Sequence, residues 1–280
     1  MSNEIIRYYD SNTARFLKFG HGAGSKAIHR AVWAEGVESR QAAMNYVNSL
    51  IAGTIECKGA GRVLDIGCGV GGTILYLAER LSAEISGVTI SPRQAALGQE
   101  LLETAGCADR CSILTGDFTD PTLSERLAAQ YELAYAIEAF LHMPKAEHFF
   151  AQAARLLKPG GTLLVCDDFL SSDPGAEKLQ RLIRCFKRGW QVQSLYTMHE
   201  VRKCAEQQGL QLSEMQDLSP YLELNRPRDL LIRILVGLLG WIPVRTPFWN
   251  NLLGGDSLQR LLIRGDIRYL LLRFEKLSND

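Results

Sequence analysis

The chain has 280 residues, of which 46% are hydrophobic, and it carries 31 basic and 31 acidic side chains. This length fits one elaborated α/β domain or two small domains, and a formal net charge of zero argues against a large nucleic-acid-binding surface. The sequence shows no signal peptide, no C-x-x-C pair and no Cys/His zinc spacing among its seven cysteines, so we expect a cytoplasmic protein with reduced thiols and no metal site.

The N-terminal region, residues 1–55, lacks the alternation that is typical of strands. Apolar side chains recur at helical spacing between residues 27 and 50, and this pattern predicts a helix with a core-facing stripe. The residues that form this stripe are Ile28, Val32, Met44, Val47 and Leu50.

A glycine-rich loop follows the first predicted strand. Asp65 lies near the end of that strand, and the loop contains Gly67, Cys68, Gly69 and Gly71. Glycines allow a tight turn and the close approach of a ligand, and a following helix offers unpaired N–H groups. The spacing satisfies G-x-G-x-x-G, but the next strand has no acidic residue at its tip to hold the ribose of NAD. A carboxylate just before the glycines suits a ligand with a free ammonium group.

Strands and helices alternate over the rest of the chain. The pattern predicts helices at 71–82, from Pro92 onwards, at 145–157 and at 197–208. The predicted strands are 62–66, 84–89, 111–115, 131–137, 162–167, 210–217 and 267–274. This order predicts a parallel sheet with helices on both faces, whose ligands bind beyond the carboxyl ends of the strands.

Two strings resemble a known family. VLDIGCGVGG at 63–72 resembles motif I of class I S-adenosylmethionine-dependent methyltransferases. GVTISPRQ at 87–94 resembles the GVTxSxxQ string of sterol, tocopherol and prenyl-diphosphate C-methyltransferases. The resemblance is clear over residues 60–170. It implies a Rossmann-like seven-stranded methyltransferase sheet with an antiparallel last strand, and S-adenosylmethionine as cofactor.

The same resemblance divides the chain into functional regions. It implies a helical N-terminal lid at 1–55 and a cofactor-binding core at 56–168. Residues 169–280 then supply the remaining strands, with helical cap insertions at 169–195 and 219–265.

The family pattern also implies a set of cofactor-binding residues. The glycine loop wraps the amino acid part of the cofactor, the region from Thr89 to Gln94 holds the ribose, Asp117 accepts from the adenine amino group, and Phe118 packs on the ring. The full set is Asp65, Gly67, Cys68, Gly69, Gly71, Thr89, Ile90, Gln94, Asp117 and Phe118. Structural roles stay open beside these, since Ser91 is a good helix N-cap and Asp117 could cap the helix after it.

The candidate catalytic residues are Glu138, His142, Tyr9 and His21. Glu138 and His142 follow the fourth strand, where the cofactor and the acceptor meet in this family, and Tyr9 and His21 lie in the N-terminal lid. An alkene acceptor would need an anion or aromatic faces for a developing cation and a base for the last proton, whereas an oxygen acceptor would need a base. Packing or capping roles remain alternatives for the histidines and for Tyr9, and a solvated loop acid for Glu138.

These features predict a methyltransferase of an apolar small molecule, of isoprenoid, sterol or polyketide type. Carbon methylation is favoured, and oxygen methylation with a histidine base is the alternative. A nicotinamide oxidoreductase and a non-catalytic S-adenosylmethionine-binding module are further hypotheses. The apolar segment 229–242 is too short to span a bilayer and could form a lid, a membrane-surface contact or a homodimer interface.

Overall fold

A computed structural model describes residues 29–127, 130–239 and 246–278. Seven strands in these residues form one sheet: β1 (Arg62–Ile66), β2 (Glu84–Thr89), β3 (Cys111–Thr115), β4 (Tyr131–Ile137), β5 (Leu157–Leu170), β6 (Leu210–Asp217) and β7 (Ile267–Lys276). Their order is β3-β2-β1-β4-β5-β7-β6. Strands β1 to β5 pair in parallel, and β7 runs antiparallel to both of its neighbours. The predicted sheet, including its antiparallel last strand, is confirmed.

Helices connect and cover these strands. Those described are α1 (Arg40–Lys58), α2 (Gly72–Ala78), α3 (Pro92–Thr104), α4 (Leu123–Leu127), α5 (Ala146–Leu156), α6 (Glu177–Trp190), α7 (Met198–Glu206), α8 (Pro227–Leu239) and α9 (Pro247–Ile263). Short 3₁₀ turns lie at Phe140–His142 and Ser219–Tyr221. Within the described ranges, no helix has the length and apolar character needed to cross a membrane.

The sheet separates two hydrophobic cores. Because successive side chains of a strand point to opposite faces, Leu64 and Ile66 of β1 enter one core and Val63 the other. The first core is rich in aromatic rings, which meet edge to face or tilted around Phe140 and Phe149. The two cores therefore pack on opposite faces of the sheet.

A third cluster lies between α6 and α9, which form a helical cap together with α8. Ile183 and Phe186 of α6 pack with Leu258 and Leu261 of α9 in this cluster. The two helices approach closely at Gly189, because a Cβ there would contact the Gly254 Cα at 2.7 Å. The two predicted insertions therefore form one packed unit, while the exact domain boundaries stay a prediction.

The predicted start of the helix over residues 27–50 is wrong. Helix α1 begins at Arg40, after Ser39, whose side chain accepts a hydrogen bond from the Ala42 N–H. The described residues before it, 29–39, are not helical, and Val32 pairs with Leu222 in an antiparallel bridge. Gly36, in the left-handed region at φ +79°, lies in a turn before the helix, and apolar spacing alone does not reveal such a break.

Candidate active site

The glycine loop between β1 and α2 requires glycine at several positions. Gly67, Gly69 and Gly71 have φ of +81°, +56° and +75°. A Cβ on Gly67 would lie 2.5 Å from the Ala139 Cβ, so the loop contacts the segment after β4. The Gly67 and Cys68 N–H groups both donate to the Val88 carbonyl at 2.9 Å. The loop is therefore fixed between the carboxyl ends of β2 and β4.

Asp65 is a buried carboxyl group beside this loop. It accepts a hydrogen bond from the Tyr135 hydroxyl at 2.9 Å, and burial raises its pKa to about 7 despite that bond. A buried carboxylate with this raised pKa is suited to a cationic ligand group. The neighbouring Cys68 is packed against Gly87, and burial, followed by the charge of Asp65, raises the pKa of its thiol.

The carboxyl end of β2 is closed by a small polar cluster. The buried Thr89 hydroxyl donates to Gln94 Oε1 at 2.9 Å, and the Ser91 hydroxyl accepts from the Gln94 N–H at 3.1 Å. Ser91 is thus the N-cap of α3, with Pro92 in its first turn. The half-buried Ile90 lies between them. The capping role is confirmed, and ribose binding by this segment stays a prediction.

The carboxyl end of β3 carries Asp117 and Phe118. Asp117 accepts from the Thr119 N–H at 2.9 Å and from the Thr119 hydroxyl at 2.7 Å, so it stabilises the turn that follows rather than the start of α4. Phe118 is buried in the first core, with its ring centroid 5.6 Å from that of Phe149. Adenine binding by Asp117 and Phe118 stays a prediction.

Glu138 occupies the carboxyl end of β4 in a strained backbone conformation, with φ at +49°. Its Oε1 accepts from the Arg30 N–H and from the Tyr269 hydroxyl, each at 2.9 Å. The Arg30 guanidinium Nε lies 3.8 Å from the same oxygen. Glu138 is therefore a held carboxylate rather than a solvated loop acid.

Arg30 connects Glu138 to the carboxyl end of β5. Its guanidinium donates to both oxygens of the buried Asp168 at 2.7 and 2.6 Å, and it lies 4.7 Å from the centroid of the Tyr269 ring. The adjacent Asp167 is fully buried and accepts from the Leu141 and Asp168 N–H groups. Burial and then the charge of Asp168 raise the pKa of Asp167 well above its usual range.

Arg30, Asp168 and Tyr269 were not identified from the sequence. Asp168 follows the predicted strand 162–167, so the rule that ligands bind at the carboxyl ends of parallel strands could have found it. Tyr269 lies in the antiparallel last strand, and Arg30 lies in an extended segment that was predicted as helix. Neither carries a local signal, since their contacts join positions more than a hundred residues apart in the chain.

His142 lies at the end of the 3₁₀ turn after β4. Burial lowers its pKa to about 4. Its Nδ1 is 3.3 Å from the Gln191 carbonyl, an arrangement that favours the tautomer with the proton on Nδ1. The candidates Tyr9 and His21 lie outside the described residues.

A polar contact joins α1 to the start of α2, directly behind the glycine loop. The Thr73 hydroxyl donates to Asn48 Oδ1 at 3.0 Å, and His29 Nε2 lies 3.0 Å from the same oxygen. Asn48 is completely buried. The segment that carries His29 and Arg30 is thereby tied to the loop as well as to Glu138.

Comparisons with known proteins agree with this geometry. Residues 63–161 match a family model described as a methyltransferase domain. The chain is 29% identical over 178 residues to the Caenorhabditis elegans sterol 4-C-methyltransferase strm-1, covering 63% of this chain and 52% of that protein. It is 26% identical over 220 residues to the 27-O-demethylrifamycin SV methyltransferase of Amycolatopsis mediterranei (strain S699), covering 78% of each. The chain thus spans about half the length of the sterol enzyme.

Among solved structures, geranyl diphosphate C-methyltransferase from Streptomyces coelicolor A3(2) is similar in fold. The TM-score is 0.66 at 14% identity, and the match covers 96% of this chain and 98% of that one. The motif and the family match favour S-adenosylmethionine over a nicotinamide as the ligand of the glycine loop. Residues 63–161 therefore belong to a methyltransferase domain of the class I S-adenosylmethionine-dependent type.

Proposed function

We propose that this chain methylates an apolar small molecule of isoprenoid, sterol or polyketide type, and that the methyl group is added to carbon. The observation that carries the proposal is the position of Glu138. Its carboxylate is held by Arg30 and Tyr269, and the next residue, Ala139, contacts the glycine loop at Gly67. A fixed anion therefore lies next to the expected cofactor site.

The residues present fit the expected cofactor. Asp65 is a desolvated carboxyl group that would accept hydrogen bonds from the ammonium group. A Cβ on Gly69 would enter open space, and one on Gly67 would collide with Ala139, so the loop forms a cradle that only glycines leave open. Thr89, Ile90 and Gln94 would hold the ribose, and Asp117 and Phe118 the adenine. When bound, S-adenosylmethionine would supply an activated methyl group to the acceptor, with S-adenosylhomocysteine as the leaving group.

Glu138 has the chemistry that carbon methylation requires. Methylation of an alkene leaves a positive charge on the neighbouring carbon, and a fixed carboxylate stabilises that charge and then accepts the proton that restores the double bond. Arg30 and Tyr269 both bond Oε1, so they orient the carboxylate without occupying Oε2. Pre-organisation of this kind lowers the cost of charge stabilisation during the reaction.

Oxygen methylation with His142 as base is the second candidate. It is supported by the rifamycin enzyme among the relatives, whose name specifies a demethylated oxygen. A pKa lowered to about 4 makes the half-buried imidazole a weak base. This argues for Glu138 rather than His142 as the residue that accepts the proton.

The relatives favour an acceptor that is largely hydrocarbon. Their names specify a sterol, a demethylrifamycin, a tocopherol and geranyl diphosphate. A sheet of this type hosts many reactions, so the fold does not select among them. The acceptor class is therefore inferred from these names together with the carboxylate at Glu138.

The test is methyl transfer from radiolabelled S-adenosylmethionine to a panel containing a sterol with a side-chain double bond, a tocopherol, a demethylated polyketide and geranyl diphosphate. NMR of the product locates the new methyl group. We expect a C–CH₃ product with at least one acceptor. An O–CH₃ product would replace this proposal by the second candidate, and tight binding of S-adenosylhomocysteine without transfer to any acceptor would indicate a binding module.

A further inference from the structure

Two uncharged groups donate hydrogen bonds to the carboxylate of Glu138. Its Oε1 accepts from the backbone N–H of Arg30 and from the hydroxyl of Tyr269, each at 2.9 Å. The charged part of Arg30 lies farther away, because its guanidinium Nε is 3.8 Å from the same oxygen and thus beyond hydrogen-bonding distance. Arg30 therefore orients Glu138 through its backbone and not through its charge.

Asp168 binds the guanidinium of Arg30 instead. Nη1 and Nη2 donate to the two carboxylate oxygens at 2.7 and 2.6 Å, which is the bidentate geometry of strong arginine–carboxylate pairs. The Asp168 side chain is completely buried, so solvent screens this pair little. Burial alone would lower the pKa of Arg30, but the charge and hydrogen bonds of Asp168, followed by the charge of Glu138, raise it well above its usual range. Asp168 is therefore the main partner of the Arg30 charge.

The sheet fixes the position of this pair. Asp168 of β5 and Tyr269 of β7 are register partners in adjacent antiparallel strands, and both are buried. The Arg30 guanidinium lies 4.7 Å from the centroid of the Tyr269 ring, so a carboxylate and a ring face from neighbouring strands hold it together. The separation between the guanidinium and Glu138 is thereby set by two rigid elements.

The charges of this cluster leave a negative charge on Glu138. Arg30 and Asp168 neutralise each other. Burial, followed by the charge of Asp168, raises the pKa of Asp167, which favours its neutral acid. Burial also raises the pKa of Cys166 and lowers that of His142 to about 4, so both are uncharged at neutral pH. Among the described residues, the titratable groups around Glu138 are Arg30, His142, Cys166, Asp167, Asp168 and Tyr269.

We propose that Asp168 is a positioning residue that holds the Arg30 guanidinium and so keeps the charge of Glu138 available to the acceptor. This role rests on the proposed function, in which Glu138 stabilises a cation and accepts a proton. A guanidinium turned onto Glu138 would cancel part of its charge, weaken its attraction for a developing cation and make it a poorer base. Orientation and charge thus come to Glu138 from different parts of one residue.

The titration of Glu138 tests this role without an acceptor. The full chain is labelled with ¹³C at the glutamate side-chain carboxyl groups, and the Glu138 signal is assigned by its loss in Glu138→Gln. In Asp168→Asn the Arg30 charge is no longer neutralised, so we expect the titration midpoint of the Glu138 signal to fall by about one pH unit. Tyr269→Phe removes an uncharged donor to the carboxylate, so the midpoint should rise by about half a unit.

Two further variants separate charge from packing. Asp256→Asn is the matched control, because Asp256 is also a buried carboxylate paired with arginines, but in the cap; it should leave the Glu138 midpoint unchanged. Arg30→Met/Asp168→Leu removes both charges and keeps the backbone N–H that Glu138 accepts, so the midpoint should return towards that of the unmodified chain. A purely structural role of Asp168 would shift the midpoint equally in Asp168→Asn and in the double variant.

Turnover shows whether the reaction uses this arrangement. With saturating S-adenosylmethionine and an acceptor that the chain methylates, we expect kcat of Asp168→Asn to fall about tenfold. Its fall at low pH, where Glu138 gains a proton, should move to lower pH together with the midpoint. The affinity for S-adenosylhomocysteine, measured by calorimetry, should stay the same.

An unchanged or higher midpoint in Asp168→Asn, or an unchanged kcat, would overturn the role of Asp168. If Asp168→Asn does not fold, Tyr269→Phe decides, since a midpoint that does not rise there would overturn the uncharged support of Glu138 on which the role depends. Carbon methylation with an unchanged midpoint would overturn only the role of Asp168. The expected midpoints in a chain that methylates oxygen would overturn the proposed function and leave the control of the Glu138 charge by Asp168 in place.

Discussion

The two halves of the sheet's carboxyl edge are built differently. At the ends of β2 and β3, the polar groups bond near neighbours in sequence, as Thr89 does with Gln94 and Asp117 with Thr119. Asp65 of β1 bonds Tyr135 of the adjacent strand β4. At the ends of β4, β5 and β7, Glu138, Asp168 and Tyr269 meet through Arg30, from a distant part of the chain. The first half is specified by local sequence and the second by tertiary contacts.

This difference corresponds to the two binding tasks of the proposed reaction, which are to hold the cofactor and to hold the acceptor. A cofactor that many proteins share can be held by a short stretch of glycines and caps, whereas an acceptor site differs from one enzyme to the next. We therefore expect changes in the first half to alter cofactor affinity and changes in the second half to alter turnover or stability. Each prediction below tests that separation.

The largest effect is expected for Glu138→Gln. The hydrogen bonds from the Arg30 N–H and the Tyr269 hydroxyl both end on Oε1, so an amide oxygen can keep them while the negative charge and the proton acceptor are lost. We expect kcat to fall by about 10²- to 10⁴-fold, with unchanged affinity for S-adenosylhomocysteine measured by calorimetry. Glu84→Gln, at an exposed position on β2, is the charge-matched control. Turnover that is equal in the two variants would remove Glu138 from the chemistry.

Gly67→Ala, in the half of the edge formed by β1, β2 and β3, should lower the affinity for the cofactor. The new Cβ would lie 2.5 Å from the Ala139 Cβ, and φ is +81°, so the loop must shift away from β4. We expect affinity for S-adenosylhomocysteine to fall about a hundredfold. Gly59→Ala is the matched control, because Gly59 has φ of +62° but no atom within 4 Å of a Cβ. Both variants should lose stability, but only Gly67→Ala should lose affinity for S-adenosylhomocysteine. Equal affinities in the two variants would contradict the role of the glycine loop in cofactor binding.

The sequence was sufficient for the first half and insufficient for the second. Strand β1 and the loop could be predicted because their glycines and apolar residues encode the backbone directly, and Ser91 with Pro92 marks the start of α3. The position of Glu138 could also be predicted, since it follows a strand. Its partners Arg30 and Tyr269 could not be predicted, because ion pairs and hydrogen bonds between distant positions leave no periodic pattern in the sequence. The exposed positions of Leu231 and Ile234 on α8 could not be predicted for a related reason, because a helix that is apolar nearly all round does not reveal which side its few charged residues fix.

Arg30→Met should lower the free energy of unfolding of the protein. It removes one partner of the buried Asp168 and leaves that carboxylate uncompensated, a change that costs about 3 to 5 kcal/mol in the free energy of unfolding. Urea denaturation measures this loss. Arg62→Met breaks the exposed pair with Glu84 and should cost less than about 1 kcal/mol. Asp168→Leu in the Arg30→Met background should restore part of the stability, and no restoration would mean that Arg30 acts through packing alone.

The smallest effect expected is the pH dependence of cofactor binding through Asp65. Burial raises its pKa from 3.8 to about 7 in the folded chain, so between these values the folded state holds a proton that the unfolded state has released. Folding stability that this group contributes at low pH is therefore lost as pH rises through about 7. A ligand ammonium needs the carboxylate form, so affinity for S-adenosylhomocysteine should rise by up to about tenfold per pH unit below pH 7 and flatten above it.

Calorimetric titration from about pH 5.5 to about pH 8 measures this profile, and buffers of different ionisation enthalpy report the proton released on binding. Asp65→Asn has no charge to titrate, so it should bind weakly with a nearly flat profile. Because Tyr135 donates to Asp65, Tyr135→Phe removes a bond that lowers the pKa, and the rise in affinity should move to higher pH. A flat profile in the unmodified chain would place the ammonium group elsewhere. The loop glycines would then shape the cofactor site without the carboxylate that precedes them.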